Sequence, residues 1–225
     1  MSILRDAFAW LADPAHWSGP SGILMRLLQH LGVTGAVVIT AALIALPLGI
    51  AIGHTGRFRF LATSGAGAAR AVPTLGLLTL AALWLGIGLK GPFLALLVLA
   101  VAPVLSAAYA GIESADARTV DAARAIGLTE LRIIREVELP AARNLILGGL
   151  RSATLQVVAT ATLAAYTADS GLGRFLYTGL KTRDYGQMIA GAILVIALAL
   201  ALDAAWALIG RAARARSRAS DTTPA

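Results

Sequence analysis

Five long stretches of this 225-residue sequence contain no Asp, Glu, Lys, Arg or His. They cover residues 31–53, 71–89, 91–112, 152–168 and 185–202, and the last of them extends past Asp203 to about residue 210. A helix needs about 20 mostly apolar residues to cross a bilayer, whereas soluble helices average about 11–12 residues. Continuous apolar runs also favour helices over the strands of membrane barrels, which alternate in hydropathy. We therefore predict an all-α, polytopic membrane protein with about five transmembrane helices.

The composition supports this prediction and argues against several kinds of site. Apolar residues make up 58% of the chain and charged residues 14%, against about 25% charged residues in soluble domains. There is no cysteine, which excludes thiolate catalysis, and the three histidines are isolated in the sequence. We expect no cofactor, no metal site and no enzyme active site at membrane depth. The net charge of +7 is interpreted as a topology signal and not as a sign of nucleic-acid binding.

Basic residues divide unequally between the two sets of loops that five spans create. One set, residues 54–59, 113–143 and the basic tail 211–225, holds eleven arginines, and the other, including residues 1–30, holds six basic residues. Because cytoplasmic loops carry the excess of Lys and Arg, the N-terminus is predicted outside and the C-terminus inside. Residues 1–30 are predicted to be an interfacial segment, because apolar residues recur there at helical spacing. Residues 31–210 then form the transmembrane domain.

The longest predicted loop, residues 113–143, is rich in charge and has two helical halves. Val120, Ala123 and Ile126 have helical spacing before Gly127, and Leu131, Ile134 and Val137 have it afterwards. Thr129 suits a helix N-cap and Pro140 suits the first turn of the next span. Loops of this length are usually functional. We expect a helix–turn–helix hairpin at the cytoplasmic surface.

The spacing of residues in this hairpin resembles the Glu-Ala-Ala loop of ABC importer permeases. That family pattern is Glu-Ala-Ala, three residues, Gly, nine residues, Ile, any residue, Leu-Pro, and both spacings occur here. Two positions depart from it, since Asp121 replaces Glu and Val137 replaces Ile. Both replacements keep the chemical character of the family residue. The resemblance implies that the loop couples the chain to separate ATPase subunits through the motif residues, which are Asp121, Ala122, Ala123, Gly127, Val137, Leu139 and Pro140.

Two further segments resemble the betaine, carnitine and choline osmoprotectant group of these permeases. They are residues 70–75, Arg-Ala-Val-Pro-Thr-Leu, and residues 169–173, Asp-Ser-Gly-Leu-Gly. The resemblance implies the five-helix core of type I importer permeases in a bacterial plasma membrane. It also implies ATP-binding cassette subunits, a second permease of the same or a similar kind, and an extracytoplasmic substrate-binding protein. Membrane lipid is the remaining expected partner, and the expected cargo is a quaternary amine osmoprotectant.

The fourth predicted span has one polar face. Ser152, Gln156 and Thr160 recur at every fourth residue and therefore share one side of a helix. These residues are candidates for the lining of a translocation path. Helix packing is the alternative explanation, because small hydroxyl residues are common where membrane helices meet.

Two other functions compete with an importer of quaternary amines. One is an importer permease for another small zwitterion or an amino acid, and the other is a channel or scaffold subunit of a membrane complex. The hairpin argues against a channel, which has no need of an ATPase contact. The sequence also lacks the Gly-rich phosphate-binding loop that ends in Gly-Lys-Ser/Thr, so we expect the chain not to hydrolyse ATP itself.

Overall fold

The computed structural model describes residues 2–60, 64, 67 and 73–221 of the chain. These residues form helices and connecting turns without a β-strand, and four of the helices are long and apolar enough to cross a membrane. The all-α prediction is therefore confirmed. In chain order the elements are α1 (Ser2–Ala12), a 3₁₀ turn (Pro14–His16), α2 (Ile23–Thr55), α3 (Thr74–Leu85), α4 (Lys90–Glu113), α5 (Ala117–Ala125), α6 (Glu130–Ile133), a π-helical turn (Ile134–Glu138), α7 (Leu139–Ala164), α8 (Gly173–Thr182) and α9 (Tyr185–Asp221).

The first span begins at Ile23 and not at residue 31. The final part of the predicted interfacial segment 1–30 is therefore the first two turns of α2, and the boundary at residue 30 falls inside a continuous helix. Arg26 and His30 do not interrupt this helix, because Arg26 is buried against Asp169 and His30 is buried against the main-chain oxygen of Val158. At a rise of about 1.5 Å per residue α2 is about 50 Å long, which exceeds the hydrocarbon core of a bilayer.

The second predicted span is only partly described, since residues 71 and 72 lie outside the described residues. The described remainder forms α3, a 12-residue helix that follows Pro73 and ends at Gly86. Gly86 has a φ of +81°, a conformation that favours glycine and stops the helix. Twelve residues fall short of the roughly 20 that a crossing requires. The described part of the chain thus has four long apolar helices and this shorter one where about five spans were predicted.

The last three predicted spans correspond to α4, α7 and α9. Helix α7 incorporates residues 144–150 and ends at Ala164, four residues before the predicted end. Helix α9 does not stop near residue 210 but continues to Asp221, so most of the predicted basic tail extends the helix. Residues 222–225 of that tail lie outside the described residues.

The centre of the molecule is a three-helix core of α2, α4 and α7. Small residues let these helices approach closely, as expected where lipid-embedded helices pack. A Cβ added to Gly49 would lie 2.6 Å from the Ala108 Cβ, so α2 and α4 require glycine at that crossing. The fully buried residues of this core are Val37, Ala41, Ala45, Leu96, Ala100, Val104, Ala153 and Val157.

The turns between helices gather at two ends of the molecule. At one end, which we call the hairpin face, His54 after the first span contacts Glu138 after the hairpin. At the other end, the opposite face, the Gly88 N–H donates to the Thr167 oxygen at 3.1 Å. A second apolar cluster, which includes Ile23, Leu172 and Phe175, packs α8 and α9 against the start of α2 at the opposite face. The fold therefore holds the predicted functional loop and the Gly-Leu-Gly segment at opposite ends of the same helices.

Candidate functional site

The predicted helix–turn–helix hairpin is present between α4 and α7. Asp116 caps α5, accepting a hydrogen bond from the Arg118 N–H at 3.1 Å. The chain reverses at Gly127, whose φ is +86°, and its N–H donates to the Arg124 oxygen at 2.9 Å. The Leu128 N–H donates to the Ala123 oxygen at 3.1 Å, so the pair of bonds forms a Schellman cap. The glycine is needed here because this cap places its central residue in the left-handed region.

The second half of the hairpin continues into the next span without a break. Thr129 occupies the N-cap position of α6, as predicted, although its side chain makes no capping hydrogen bond. A π-helical turn, Ile134–Glu138, then joins α6 to α7, and Pro140 lies in the first turn of α7. The long helix from Glu130 to Ala164 therefore connects the hairpin directly to the membrane core.

The motif residues divide between the inside and the outside of the hairpin. Ala123 is buried with Val120 and Ile133, and Val137 is partly buried against the same small core. Asp121 and Ala122 are exposed on the outer side of α5, Leu139 is partly buried, and Pro140 is exposed. Small and apolar motif positions therefore hold the two halves together, while Asp121 and Ala122 remain available to a partner.

Two apolar residues that share helical spacing with the hairpin core, Ile126 and Leu131, lie outside that core. Ile126 is 80% exposed and Leu131 is 56% exposed, whereas Ile133 is fully buried in their place. The reason is that α5 ends at Ala125, so the turn carries Ile126 away from the face of Val120. Helical periodicity cannot predict which side chains remain on a common face beyond the end of a helix. Both side chains therefore add apolar area to the exposed surface of the hairpin.

A chain of polar side-chain contacts, which sequence reasoning did not predict, joins the hairpin to α2. Arg124 lies 3.3 Å from Asp121 and 2.9 Å from Glu130, and the hydrogen bond to Glu130 raises the pKa of the Arg124 guanidinium. His54, at the end of α2, has Nε2 3.1 Å from Glu130 and Nδ1 2.8 Å from Glu138. We call the contact of His54 with these two carboxylates the hairpin clasp.

Sequence reasoning missed His54 because its partners lie far away in the chain. The imidazole is 84 residues from Glu138, which occupies the unspecified position of the family motif. Glu138 is only 4% exposed, and the residues on either side of it in the sequence are apolar. A charged residue between apolar motif positions was the one available signal, because buried carboxylates require partners.

At the opposite face, α2 binds the segment 169–173. Arg26 donates to the main-chain oxygen and to the carboxylate of Asp169, at 2.7 and 2.9 Å. The Gln29 side-chain oxygen accepts from the Gly171 N–H at 3.1 Å, and His30 Nδ1 accepts from the Leu172 N–H at 3.3 Å. We call these contacts the loop clasp.

The glycines of this segment are required by close packing. Gly171 has a φ of +77°, and a Cβ there would lie 3.1 Å from His30 Nδ1. A Cβ on Gly173 would overlap the main chain of Thr162. An open cavity of about 690 Å³ adjoins the loop clasp, with Arg26, Asp169, Arg174 and Asp184 among its lining residues. In the other osmoprotectant-like segment, 70–75, Arg70, Ala71 and Val72 lie outside the described residues.

The polar face of α7 lies beside the three-helix core and not within it. Ser152 is exposed, and Gln156 and Thr160 are partly exposed. Thr154, on a different side of the helix, is buried and accepts a hydrogen bond from Trp206 Nε1 at 3.1 Å. Thr154 therefore packs α7 against α9, whereas the role of the other three residues stays a prediction.

Among the residues that the structure describes, no group of three His, Asp or Glu side chains is arranged to hold a metal ion.

Comparison with known proteins identifies the family. The family described as binding-protein-dependent transport system inner membrane component matches residues 45–215. The carnitine transport permease protein OpuCB of Listeria monocytogenes is 30% identical over 181 residues, which are 80% of this chain and 83% of that protein. The glycine betaine/carnitine/choline transport system permease protein OpuCB of Bacillus subtilis is 29% identical with the same coverage.

Solved structures agree with this family at the level of the fold. A chain of the inward-facing MetNI methionine ABC transporter superposes on this one with a TM-score of 0.73 and 20% identity. The superposition covers 85% of this chain and 95% of that chain. The architecture is thus that of a type I importer permease. The chain belongs to the family of binding-protein-dependent transport system inner membrane components, the multi-pass permease subunits of ABC importers, which work with separate ATPase and substrate-binding subunits.

Proposed function

We propose that this chain forms the translocation path for quaternary amine osmoprotectants and couples transport to ATP hydrolysis on separate subunits. The observation that carries the proposal is the hairpin, which presents Asp121 and Ala122 on its outer side while Ala123 and Val137 pack within it. Small exposed residues permit close approach to a cleft in a partner, and the carboxylate offers one charge to a basic residue. Ile126 and Leu131, which are also exposed on the hairpin, offer apolar area to the same partner.

The proposed topology has the hairpin face in the cytoplasm and the opposite face outside. The loops at the hairpin face carry the excess of arginine, and cytoplasmic loops of membrane proteins are the basic ones. The N-terminus then lies outside and the C-terminus inside, so the segment 169–173 faces the substrate-binding protein. The remaining expected partners are a second permease, which completes the path, and membrane lipid around α9.

Glycine betaine, choline, carnitine and proline betaine are the proposed substrates. Relatives with about 30% identity are named for carnitine, and for glycine betaine, carnitine and choline together. Ser152, Gln156 and Thr160 are the proposed path residues, because they offer polar groups on a face of α7 outside the packed core. The chain itself does not hydrolyse ATP in this proposal, since its sequence has no phosphate-binding loop.

Cysteine crosslinking tests the ATPase contact. The native chain has no cysteine, so Asp121→Cys introduces one unique thiol. We expect this variant, purified from its native membrane in mild detergent, to crosslink to an ATPase subunit identified by mass spectrometry. Lys181→Cys, exposed at the opposite face, is the matched control and yields no ATPase crosslink. A channel or scaffold function replaces this proposal if no ATPase is recovered with either variant.

Uptake by cells that depend on this transporter tests the substrate. We expect radiolabelled glycine betaine, carnitine or choline to accumulate, and the other two unlabelled compounds to compete with it. Accumulation of an unrelated amino acid without competition by these amines would contradict the proposed substrate class and leave the ATPase contact unaffected.

A further inference from the structure

Helix α2 is held by polar side chains at both of its ends. The loop clasp binds its first turns to residues 169–172, and the hairpin clasp binds His54, one residue before its end, to Glu130 and Glu138. The same helix therefore contacts the two loops that the sequence singles out, at opposite faces of the molecule. Among the spans that the structure describes, α2 is the one that contributes side chains to both clasps.

Each clasp joins buried side chains to one exposed partner, since the Asp169 side chain is 69% exposed and that of Glu130 is 55% exposed. Arg26 is 5% exposed, His30 is 1% exposed and Glu138 is 4% exposed. Loss of its partner by Arg26 or Glu138 would leave a buried charge unpaired, which is strongly destabilising. Both ring nitrogens of His54 face carboxylate oxygens, Nε2 toward Glu130 and Nδ1 toward Glu138. The clasps are therefore suited to act as joints between α2 and the two loops.

Between the clasps, α2 is packed tightly against α4. A Cβ on Gly53 would lie 2.7 Å from the Ile112 Cβ, and one on Gly49 would lie 2.9 Å from the Leu105 oxygen. Close-packed helices do not compress, so a displacement at one end of the pair is transmitted to the other. The part of α2 between the two clasps is thus suited to act as a stiff connection.

Three consecutive polar contacts between side chains connect Asp121 to α2. They are Asp121 with Arg124 at 3.3 Å, Arg124 with Glu130 at 2.9 Å, and Glu130 with His54 at 3.1 Å. This route differs from the covalent one, in which the hairpin moves α7 through Leu139 and Pro140. The hairpin is therefore joined to α4 and α7 through the main chain and to α2 through the side chain of His54.

We propose that α2 links the two faces of the permease, with His54 as the positioning residue that joins it to the hairpin. Movement of the hairpin by the ATPase is passed through His54 and α2 to the segment 169–172, and binding events at that segment are passed back. This inference rests on the proposed contact of Asp121 with an ATPase. It assigns a coupling role to His54 and Glu138, which lie outside the specified positions of the family motif.

The first experiment measures ATP hydrolysis by the permease–ATPase complex in lipid nanodiscs. Basal hydrolysis is compared with hydrolysis in the presence of the co-purified binding protein loaded with glycine betaine. For His54→Gln and Glu138→Gln, we expect the ratio of stimulated to basal hydrolysis to fall by about fivefold or more, the lower end of typical coupling between sites. The double variant should lose no more than either single variant, because both act in one joint.

The matched control is Glu136→Gln. This substitution also removes a carboxylate from the π-helical turn, but Glu136 is exposed and pairs with Arg132 on the surface. We expect its stimulation ratio to equal that of the native chain. A variant that merely unfolds lowers basal and stimulated hydrolysis in proportion, so the ratio separates positioning from loss of structure.

A second measurement needs no binding protein. Ser170→Cys, in the loop clasp segment, is labelled with a maleimide with and without a non-hydrolysable ATP analogue. We expect the nucleotide to change the labelling rate in the chain with His54 and to leave it unchanged in the His54→Gln background. An equal nucleotide effect in both backgrounds would overturn the role of His54.

The two proposals fail in different ways. If Asp121→Cys crosslinks to the ATPase but the stimulation ratio is unaltered by His54→Gln, the coupling by α2 is wrong and the proposed function stands. The same conclusion follows if Glu136→Gln lowers the ratio as much as His54→Gln does. If Asp121→Cys yields no ATPase crosslink in the native background, the proposed function is wrong and this inference is overturned with it.

Discussion

Arg151 on α7 and Asp203 on α9 form a two-point ion pair, with Nε 2.6 Å from Oδ1 and Nη2 2.8 Å from Oδ2. Both residues lie in helices that span the membrane, 52 positions apart in the sequence. A lone charge at membrane depth is costly, whereas a paired guanidinium and carboxylate satisfy each other. Helix α9 buries little of its apolar surface, so this pair and the Trp206–Thr154 hydrogen bond fix its rotation against α7.

Breaking this ion pair should impair assembly. We expect Arg151→Gln or Asp203→Asn to reduce the amount of folded protein in the membrane severalfold, because each leaves one charge without its partner. The exchange Arg151→Asp with Asp203→Arg should recover most of the loss. Membrane abundance and thermal unfolding in detergent measure the effect, and an exchange variant as defective as the single variants would contradict the pairing.

Two adjacent glycines of α7 should respond oppositely to alanine. A Cβ at Gly149 would overlap Ala107 and lie 3.0 Å from the Pro103 oxygen, whereas a Cβ at Gly148 meets nothing within 4 Å. Gly149→Ala should cost about 1–3 kcal/mol of unfolding free energy through overpacking. Gly148→Ala should be neutral or stabilising by about 0.5–1 kcal/mol, since alanine favours helix. Thermal unfolding of the two variants side by side checks this, and equal responses would argue against the close α4–α7 crossing.

The turn of the hairpin should tolerate asparagine better than valine at position 127. Gly127 has a φ of +86° and nothing lies within 4 Å of an added Cβ, so only main-chain strain is at issue. The left-handed conformation costs an L-residue about 1–2 kcal/mol, and asparagine adopts it more readily than valine does. We expect Gly127→Val to remain in the membrane but to lose ATPase association and uptake, with Gly127→Asn near native. Full uptake by Gly127→Val would contradict the role of this turn.

Reversing the charge at Asp121 should uncouple transport. Lysine there repels the basic residue expected in the ATPase cleft and also Arg124, which lies 3.3 Å from the aspartate. We expect Asp121→Lys to reach the membrane and to lose uptake, measured beside co-purification of the ATPase. Glu136→Lys makes the same charge change on the same hairpin and should keep both activities. Normal uptake by Asp121→Lys would remove Asp121 from the coupling surface.

The polar face of α7 provides a test of the path. Gln156→Leu removes a partly exposed amide and should alter the KM or rate of uptake without loss of assembly. Thr154→Val is the contrasting variant, because Thr154 is buried against Trp206 and should affect stability instead. Unchanged uptake kinetics in Gln156→Leu would assign that residue to packing.

Much of the fold follows from local sequence and the demands of lipid. Main-chain groups in hydrocarbon must bond within their own segment, so long apolar runs become helices wherever they occur. The hairpin was equally predictable, because Gly127 and the residues around it form their cap within a few positions. Helix ends were less predictable, because both α2 and α9 continue through charged residues at which the uncharged runs of the sequence end.

Tertiary structure alone decided which polar groups meet. His54 and Glu138 are 84 positions apart, and Arg26 and Asp169 are 143 positions apart. Periodicity assigns a side chain to a face of its own helix, but it carries no information on which distant segment packs there. The hydrophobic pattern therefore determined which segments are helices, since that choice is made locally. The pairing of these distant polar groups, on which the proposed coupling between the two faces depends, was decided only when the packed helices brought those residues together.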